Sequence, residues 1–122
     1  MIRLIHRRLI IPQGDTGNFS IPVLPSVQPG DAAVFTIFDP IHKSKIYQKI
    51  MTQLEDTLTI RFEHKDTVNF PVGKYYWDVK IYKNPEFNEE EELIDGEEVN
   101  SYYAAYSLPE CEVRPSDIKR FY

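Results

Sequence analysis

The chain has 122 residues, of which 42% are hydrophobic and 13% aromatic, so it suits one globular domain and excludes a multidomain enzyme. Its net charge is −5, and the acidic excess is concentrated in residues 86–98, which argues against nucleic acid as a partner. No apolar run reaches the ~20 residues that cross a bilayer, and the start lacks a signal-peptide pattern. We therefore expect synthesis in a cytoplasm, no membrane partner and, with Cys111 alone, no internal disulfide.

The first half of the chain predicts three strands before residue 40. Residues 4–11 form the first. Residues 18–23 alternate apolar and polar side chains, and Pro22 has no amide hydrogen to donate, so we expect an edge strand there. Residues 33–38 are apolar on both phases, which is typical of a central strand.

Four further strands are predicted in the rest of the chain. Residues 43–51 are ambiguous because Ile46 and Ile50 are four apart, which also fits a helix, but the β-branched and aromatic content favours a strand. Residues 57–63 alternate strictly and predict a half-buried strand. Residues 75–82 and 99–108 predict the last two.

Turn-forming residues separate these runs and set the fold class. The Asp95–Gly96 pair predicts a tight hairpin into the last strand, and residues 86–98 predict a solvated acidic loop. The spacing indicates an all-β, immunoglobulin-like antiparallel β-sandwich of about seven strands. We expect one domain over residues 1–122, with a core at about 2–113 and a short C-terminal tail at 114–122.

A structural corner is predicted around residues 66–77. Tyr75 and Trp77 follow Gly73 and share one face of their strand. Immunoglobulin-like domains place a tyrosine at such a corner, with its hydroxyl bonded to an upstream backbone group, so Trp77 takes a core position. Asp66 and Thr67 have short polar side chains that can close the same corner.

The sequence offers no pattern for catalysis or metal binding. His6, His42 and His64 are far apart, and none stands at a diagnostic spacing from a nucleophile. Acidic neighbours raise the pKa of the Cys111 thiol, and zinc would need paired cysteine or histidine ligands. We therefore expect no catalytic residue, no metal, no cofactor and no enzyme activity.

The order of several short motifs resembles a known family. These are residues 14–21 (GDTGNFSI), 30–37 (GDAAVFTI), 45–50 (KIYQKI), 66–67 (DT) and 70–81 (FPVGKYYWDVKI). Over about residues 13–108 the chain resembles the N-terminal β-sandwich domain of phage upper baseplate proteins and related small tail proteins of phages and prophages in Gram-positive bacteria. The resemblance implies a non-catalytic assembly module of the virion tail, made in the bacterial cytoplasm. The acidic segment 86–98 departs from the short turn usual in the family.

Candidate contact residues fall into two groups. Tyrosine is enriched in interfaces, and four tyrosines lie on the exposed phase of their strands, although some of them can instead face the second sheet: Tyr76, Tyr82, Tyr102 and Tyr106. A small basic cluster that suits an acidic protein surface contains Arg3, His6, Arg7 and Arg8. An open edge strand is another contact route.

We therefore expect a structural module that acts through protein–protein contacts. Its partners would be other tail or baseplate proteins and further copies of itself in a homo-oligomer. The alternative is a carbohydrate-binding module, in which exposed tyrosines stack on sugar rings. A platform of parallel aromatic rings beside Asn, Asp or Gln would favour that alternative.

Overall fold

A computed structural model describes residues 1–22, 30–39, 41, 44–52, 57–90, 93–101 and 109–115. These ranges contain nine strands and one short helix. In chain order they are β1 (Arg3–Ile5), β2 (Arg8–Pro12), β3 (Gly17–Pro22), β4 (Ala32–Asp39), β5 (Ser44–Met51), β6 (Thr57–Phe62), α1 (His64–Thr67), β7 (Gly73–Phe87), β8 (Leu93–Ser101) and β9 (Glu110–Arg114).

The strands form two sheets. The larger has seven strands in the order β1-β2-β9-β7-β4-β5, with β8 also paired to β7, and the smaller contains β3 and β6. This arrangement confirms the prediction of an all-β, sandwich-like single domain. One detail differs from the predicted antiparallel pairing, because β2 and β9, near the two ends of the chain, run parallel.

Aromatic side chains join the two sheets in the core. The ring of Phe19 on β3 lies 5.6 Å from Trp77 and 5.7 Å from Phe35, both on the larger sheet. Phe62 on β6 lies 5.9 Å from Phe35. Trp77 and Phe35 have no exposed surface. Burial of such large rings drives the two layers together, and their edge-to-face contacts fix the orientation.

The strands predicted between residues 18 and 63 are present. β3 ends at Pro22 and pairs only with β6 among the described strands, as an edge strand should. β4 lies between β5 and β7, which makes it central. Residues 44–51 form a strand and not a helix, because they pair antiparallel with β4 along their length.

The first predicted strand, residues 4–11, is wrong as one element. His6 has a φ of 56°, in the left-handed region, and the chain reverses there. β1 and β2 are therefore two arms of a short antiparallel hairpin, with Leu4 opposite Leu9.

The acidic loop at 86–98 and the tight turn at Asp95–Gly96 are also wrong. β7 continues to Phe87, and Glu86 pairs with Asp95 and Phe87 with Leu93, so the chain reverses between Phe87 and Leu93. Asn84, with a φ of 50°, and Pro85 lie inside β7, where the register shifts. Irregular pairing of this kind accommodates residues that usually mark a turn.

Two elements were not predicted from the sequence. β9 follows the last predicted strand and buries Cys111 and Val113 between the charged positions of a period-two pattern. α1 is a single turn between β6 and β7. Of the last predicted strand, residues 99–101 belong to β8, while residues 102–108 lie outside the described ranges, as do residues 116–122 of the predicted tail.

Candidate interaction surfaces

The corner before β7 has the predicted tyrosine contact. The Tyr75 hydroxyl donates a hydrogen bond to the Pro71 carbonyl at 2.8 Å, and Tyr75 is buried. A Cβ at Gly73 would lie 3.3 Å from that hydroxyl, so the bond favours glycine at this position. Trp77 Nε1 donates to the Arg7 carbonyl at 3.1 Å, which joins the corner strand to the β1–β2 turn. These contacts are structural.

Asp66 and Thr67 belong to a second structural cluster that joins α1 to the turn at residues 13–15. Asp66 accepts a hydrogen bond from the Glu63 amide at 2.7 Å at the start of α1. Thr67 has no exposed surface, and its hydroxyl donates to the Asp15 carbonyl at 2.7 Å. His64 Nδ1 donates to the Gly14 carbonyl at 2.6 Å. A backbone-bonded histidine of this kind needs no catalytic role.

The predicted basic cluster does not form one free patch. Arg8 is paired with Glu112 on the neighbouring β9, and Arg114 contacts the same carboxylate at 3.2 Å. Hydrogen bonds from Arg114 and then from Arg8 hold the pKa of Glu112 below its usual range. Arg3 is exposed on β1, while Arg7 is half-buried. Arg3 and Arg8 are thus the two exposed candidate arginines, and Arg8 is held by the ion pair with Glu112.

The candidate tyrosines are divided between described and undescribed segments. Tyr76 and Tyr82 are half-buried on β7, and Tyr102 and Tyr106 lie outside the described residues. The ring of Tyr76 lies 6.2 Å from Phe38 at an interplanar angle of 58°. Rings at that angle do not make the parallel platform that would favour sugar stacking.

A hairpin and a groove are the surfaces that the sequence did not reveal. Residues 83–87 of β7 continue past the start of β4 and pair with β8 alone among the described strands. At the tip of this β7–β8 hairpin, Glu90 lines an open groove of about 500 Å³. The rest of the lining comes from β5: Lys45, Ile46, Tyr47, Gln48, Lys49 and Ile50.

The remaining features of the described part of the chain concern metal ions, membranes and Cys111. No group of three or more His, Cys, Asp or Glu side chains there is placed to hold a metal ion. Among the same residues, no helix has the length and apolar character to cross a membrane. Cys111 is buried and free, and burial, followed by the charge of Glu112, raises the pKa of its thiol to about 12.

Comparison with known proteins adds no relative. No protein-family model matches the chain, and searches of curated proteins and of solved structures find no significant match.

Proposed function

We propose that this protein is a non-catalytic structural module of a phage or prophage tail, and that it acts through protein–protein contacts. The motif order at residues 14–81 supports the family, and an all-β sandwich suits such a module. The observation that carries the proposal is the β7–β8 hairpin, which leaves the core and extends the protein surface beyond β4.

The charge of the hairpin favours a protein partner. The segment 86–98 carries eight acidic and no basic side chains: Glu86, Glu89, Glu90, Glu91, Glu92, Asp95, Glu97 and Glu98. Charge concentrated on one projecting element steers association with a basic surface and disfavours other acidic ones. The hairpin is therefore the surface on which we place the contact with another tail protein.

The composition of purified phage particles tests the proposal. Particles released after induction of the bacterium that encodes the chain are purified and analysed by quantitative mass spectrometry. We expect the protein in particles in a fixed ratio to other tail proteins. Its absence from intact particles, while it accumulates in the cell lysate, contradicts the proposal.

Carbohydrate binding is the second candidate and has less support. Its one favourable feature is the pair Phe38 and Tyr76 beside Thr36 and Gln48, which are polar, but those rings are inclined by 58°. A glycan-array screen of the purified protein distinguishes the two candidates. A specific sugar bound by a chain that is absent from particles favours carbohydrate binding.

A further inference from the structure

The outer face of the larger sheet has a row of side chains that crosses four neighbouring strands. From β1 through β2 and β9 to β7, the row consists of Arg3, Ile10, Glu112 and Lys74, each in register with the next. Residues in register on paired strands point to the same face of a sheet. Cys111, next to Glu112 in sequence, belongs to the core, so the row points away from the core.

Two arginines share one carboxylate on this face. Arg8 and Arg114 lie two residues from Ile10 and Glu112 along their strands, and therefore point to the same side of the sheet. Arg8 is paired with Glu112, and Arg114 Nε lies 3.2 Å from the same carboxylate. A single carboxylate balances only one of the two guanidinium charges, so a positive charge is left over.

Arg3 and Lys74 add two further positive charges. Both are exposed, and neither forms an ion pair within the described ranges. Glu110, which is also exposed, is the second acidic residue on the outer side of these strands. We call this surface the basic face. It has four basic and two acidic side chains, a net charge of +2: Arg3, Arg8, Lys74, Arg114, Glu110 and Glu112.

An aromatic pair borders the basic face. Tyr76 is in register with Glu110 on β9 and with Phe38 on β4, so it continues the same side of the sheet. The rings of Tyr76 and Phe38 lie 6.2 Å apart, and both residues are half-buried. Arginine and aromatic side chains are the residues that protein interfaces favour. The composition of this surface therefore suits contact with another protein.

The tip of the β7–β8 hairpin has the complementary composition. In the described part of the tip, residues 86–90, Glu86, Glu89 and Glu90 are exposed. Phe87, which is half-buried, lies among them. The tip thus combines negative charge with an aromatic ring, and the basic face combines positive charge with an aromatic pair. Surfaces of opposite charge steer one another into contact and disfavour partners of like charge.

The two surfaces lie towards opposite edges of the larger sheet. Glu90 is beside β5, which is one edge strand, whereas Arg3 and Arg8 are on β1 and β2 at the other edge. Three strands separate β5 from β2, which places those two strands about 19 Å apart. No ion pair among the described residues joins the tip to the basic face. The chain does not therefore cover its basic face with its own hairpin.

We propose that the basic face binds the hairpin tip of a second copy of this chain. The tip glutamates then approach Arg3 and Lys74 of the other copy, and Phe87 approaches the Tyr76–Phe38 pair. The contact joins two different surfaces of the chain, so every copy offers both halves of it. The inference deepens the proposed function and rests on it, because it names a second copy as the basic partner of the hairpin.

Charge reversal on each surface tests the contact. Glu86→Lys/Glu90→Lys reverses the tip, and Arg3→Glu/Lys74→Glu reverses the basic face without altering the arginines that bind Glu112. Light scattering and sedimentation of the wild type should show self-association. Each variant alone should associate at least about tenfold more weakly, because its two surfaces then have like charge. An equimolar mixture of the two variants should associate again, since each tip then meets a face of opposite charge.

Charge changes elsewhere provide the controls. Asn18 and Thr57 are exposed on the small sheet, on the other side of the sandwich. Asn18→Lys/Thr57→Lys shifts the net charge in the same direction as the tip variant, and Asn18→Glu/Thr57→Glu in the same direction as the face variant. Both controls should associate like the wild type. Circular dichroism verifies that each variant is folded.

Crosslinking of the wild type tests the contact without any substitution. A carbodiimide joins a lysine amine directly to a nearby carboxylate. In a mixture of unlabelled and ¹⁵N-labelled protein, we expect mass spectrometry to find Lys74 joined to residues 86–90, with labelled peptide linked to unlabelled peptide. Lys74 linked to this segment only within one copy, or not at all, overturns the inference.

The outcomes separate this inference from the proposed function. A wild-type chain that stays monomeric at high concentration overturns the inference, as do folded reversal variants that associate no more weakly than their controls. Particle composition is measured independently. A monomer found in tails refutes the contact between copies alone, whereas an assembly that is absent from particles refutes the tail function alone.

Discussion

At the scale of single residues, Tyr75 and Cys111 show how β7 and β9 are held together. They are directly opposite in the antiparallel pairing of the two strands, and both are buried. Tyr75 also uses its hydroxyl to hold the preceding corner through the Pro71 carbonyl. Cys111 contributes a small, neutral side chain to the core. Each has an effect that can be measured separately.

Removal of the Tyr75 hydroxyl should weaken the corner. Tyr75→Phe keeps the buried ring and deletes the hydrogen bond to Pro71, so we expect the free energy of unfolding to fall by about 1 kcal/mol. Urea denaturation followed by Trp77 fluorescence measures it. Tyr76→Phe, on the half-buried neighbour, is the matched control and should change stability by less than about 0.5 kcal/mol. Equal losses in both variants would contradict a specific role for the corner.

Stability should decrease at alkaline pH because of Cys111. Burial raises the pKa of this thiol from 9.0 to about 12 in the folded protein. The stabilisation from keeping it neutral is complete below about pH 9, where the unfolded thiol begins to ionise, and is lost as pH rises towards 12. The loss approaches about 1.4 kcal/mol per pH unit. Denaturation curves measured between pH 8 and 11 give the free energy of unfolding at each pH. This free energy should fall less steeply with pH for Cys111→Ala than for the wild type. Parallel losses in both proteins would refute this account.

At the scale of elements, side-chain hydrogen bonds join the turn at residues 13–15 to α1 and to the segment before β7. Thr67 and His64 bind the Asp15 and Gly14 carbonyls, and Gln13 Nε2 donates to the Phe70 carbonyl at 2.8 Å. Gly14 has a φ of 75°, which glycine adopts without strain. These contacts fix the start of β3 and the position of the segment that leads into β7.

Replacement of Thr67 tests this cluster. Thr67→Val preserves the shape of a fully buried side chain but leaves the Asp15 carbonyl without its donor, so we expect a loss of about 2 kcal/mol. Thr59→Val is the control, because Thr59 is exposed and its hydroxyl shares a hydrogen bond with the exposed Ser20 within the small sheet. Thermal or urea unfolding of both variants decides the point. A loss no larger for Thr67→Val than for Thr59→Val would contradict it.

The β7–β8 hairpin should open more readily than the centre of the sheet. Amides at residues 35–37 lie in a strand flanked on both sides, whereas residues 83–87 have β8 alone as a described partner. We expect hydrogen exchange at 83–87 to be at least about tenfold faster. Mass-spectrometric exchange on the whole chain measures both segments. Equal protection of the two would show that the hairpin is part of the core unit.

The local sequence pattern predicted the strands in which apolar and polar side chains alternate. It failed where residues that favour turns lie inside a paired strand. Phe19, Ile60 and Trp77 were assigned to the core because period two is visible in a short window. Asn84 and Pro85 favour a turn in the sequence, but they lie inside β7. The register between β7 and β8 shifts at these two residues, and the sequence of β7 alone does not show that shift. The alternation at Cys111 and Val113 was present in the sequence, but it is too short to outweigh the adjacent prolines.

The candidate surfaces were less predictable than the fold, for a physical reason. Arg8 was assigned to a contact cluster, yet it pairs with Glu112, which is 104 residues away in sequence. The groove beside β5 likewise depends on Glu90, from a different hairpin. Contacts between residues that are far apart in sequence leave no pattern in the spacing of residues along the chain. From the sequence, the residues of β5 predicted only a strand, with a helix as the alternative.

At the scale of the whole molecule, the protein is a sandwich from which the acidic β7–β8 hairpin extends beyond β4. The charge of this hairpin suits a basic partner. A module with such a projecting charged element can link to another protein, as assembly in a tail requires. The central claim is that this linkage takes place in a phage tail.

Immunogold electron microscopy of purified particles tests that claim most directly. Antibodies raised against the purified chain are applied to intact tails, with particles from a strain in which the gene is deleted as the control. We predict label at one end of the tail in the wild type and none in the control. Intact, fully assembled tails that carry no label, and that form equally well in the deletion strain, would contradict the account.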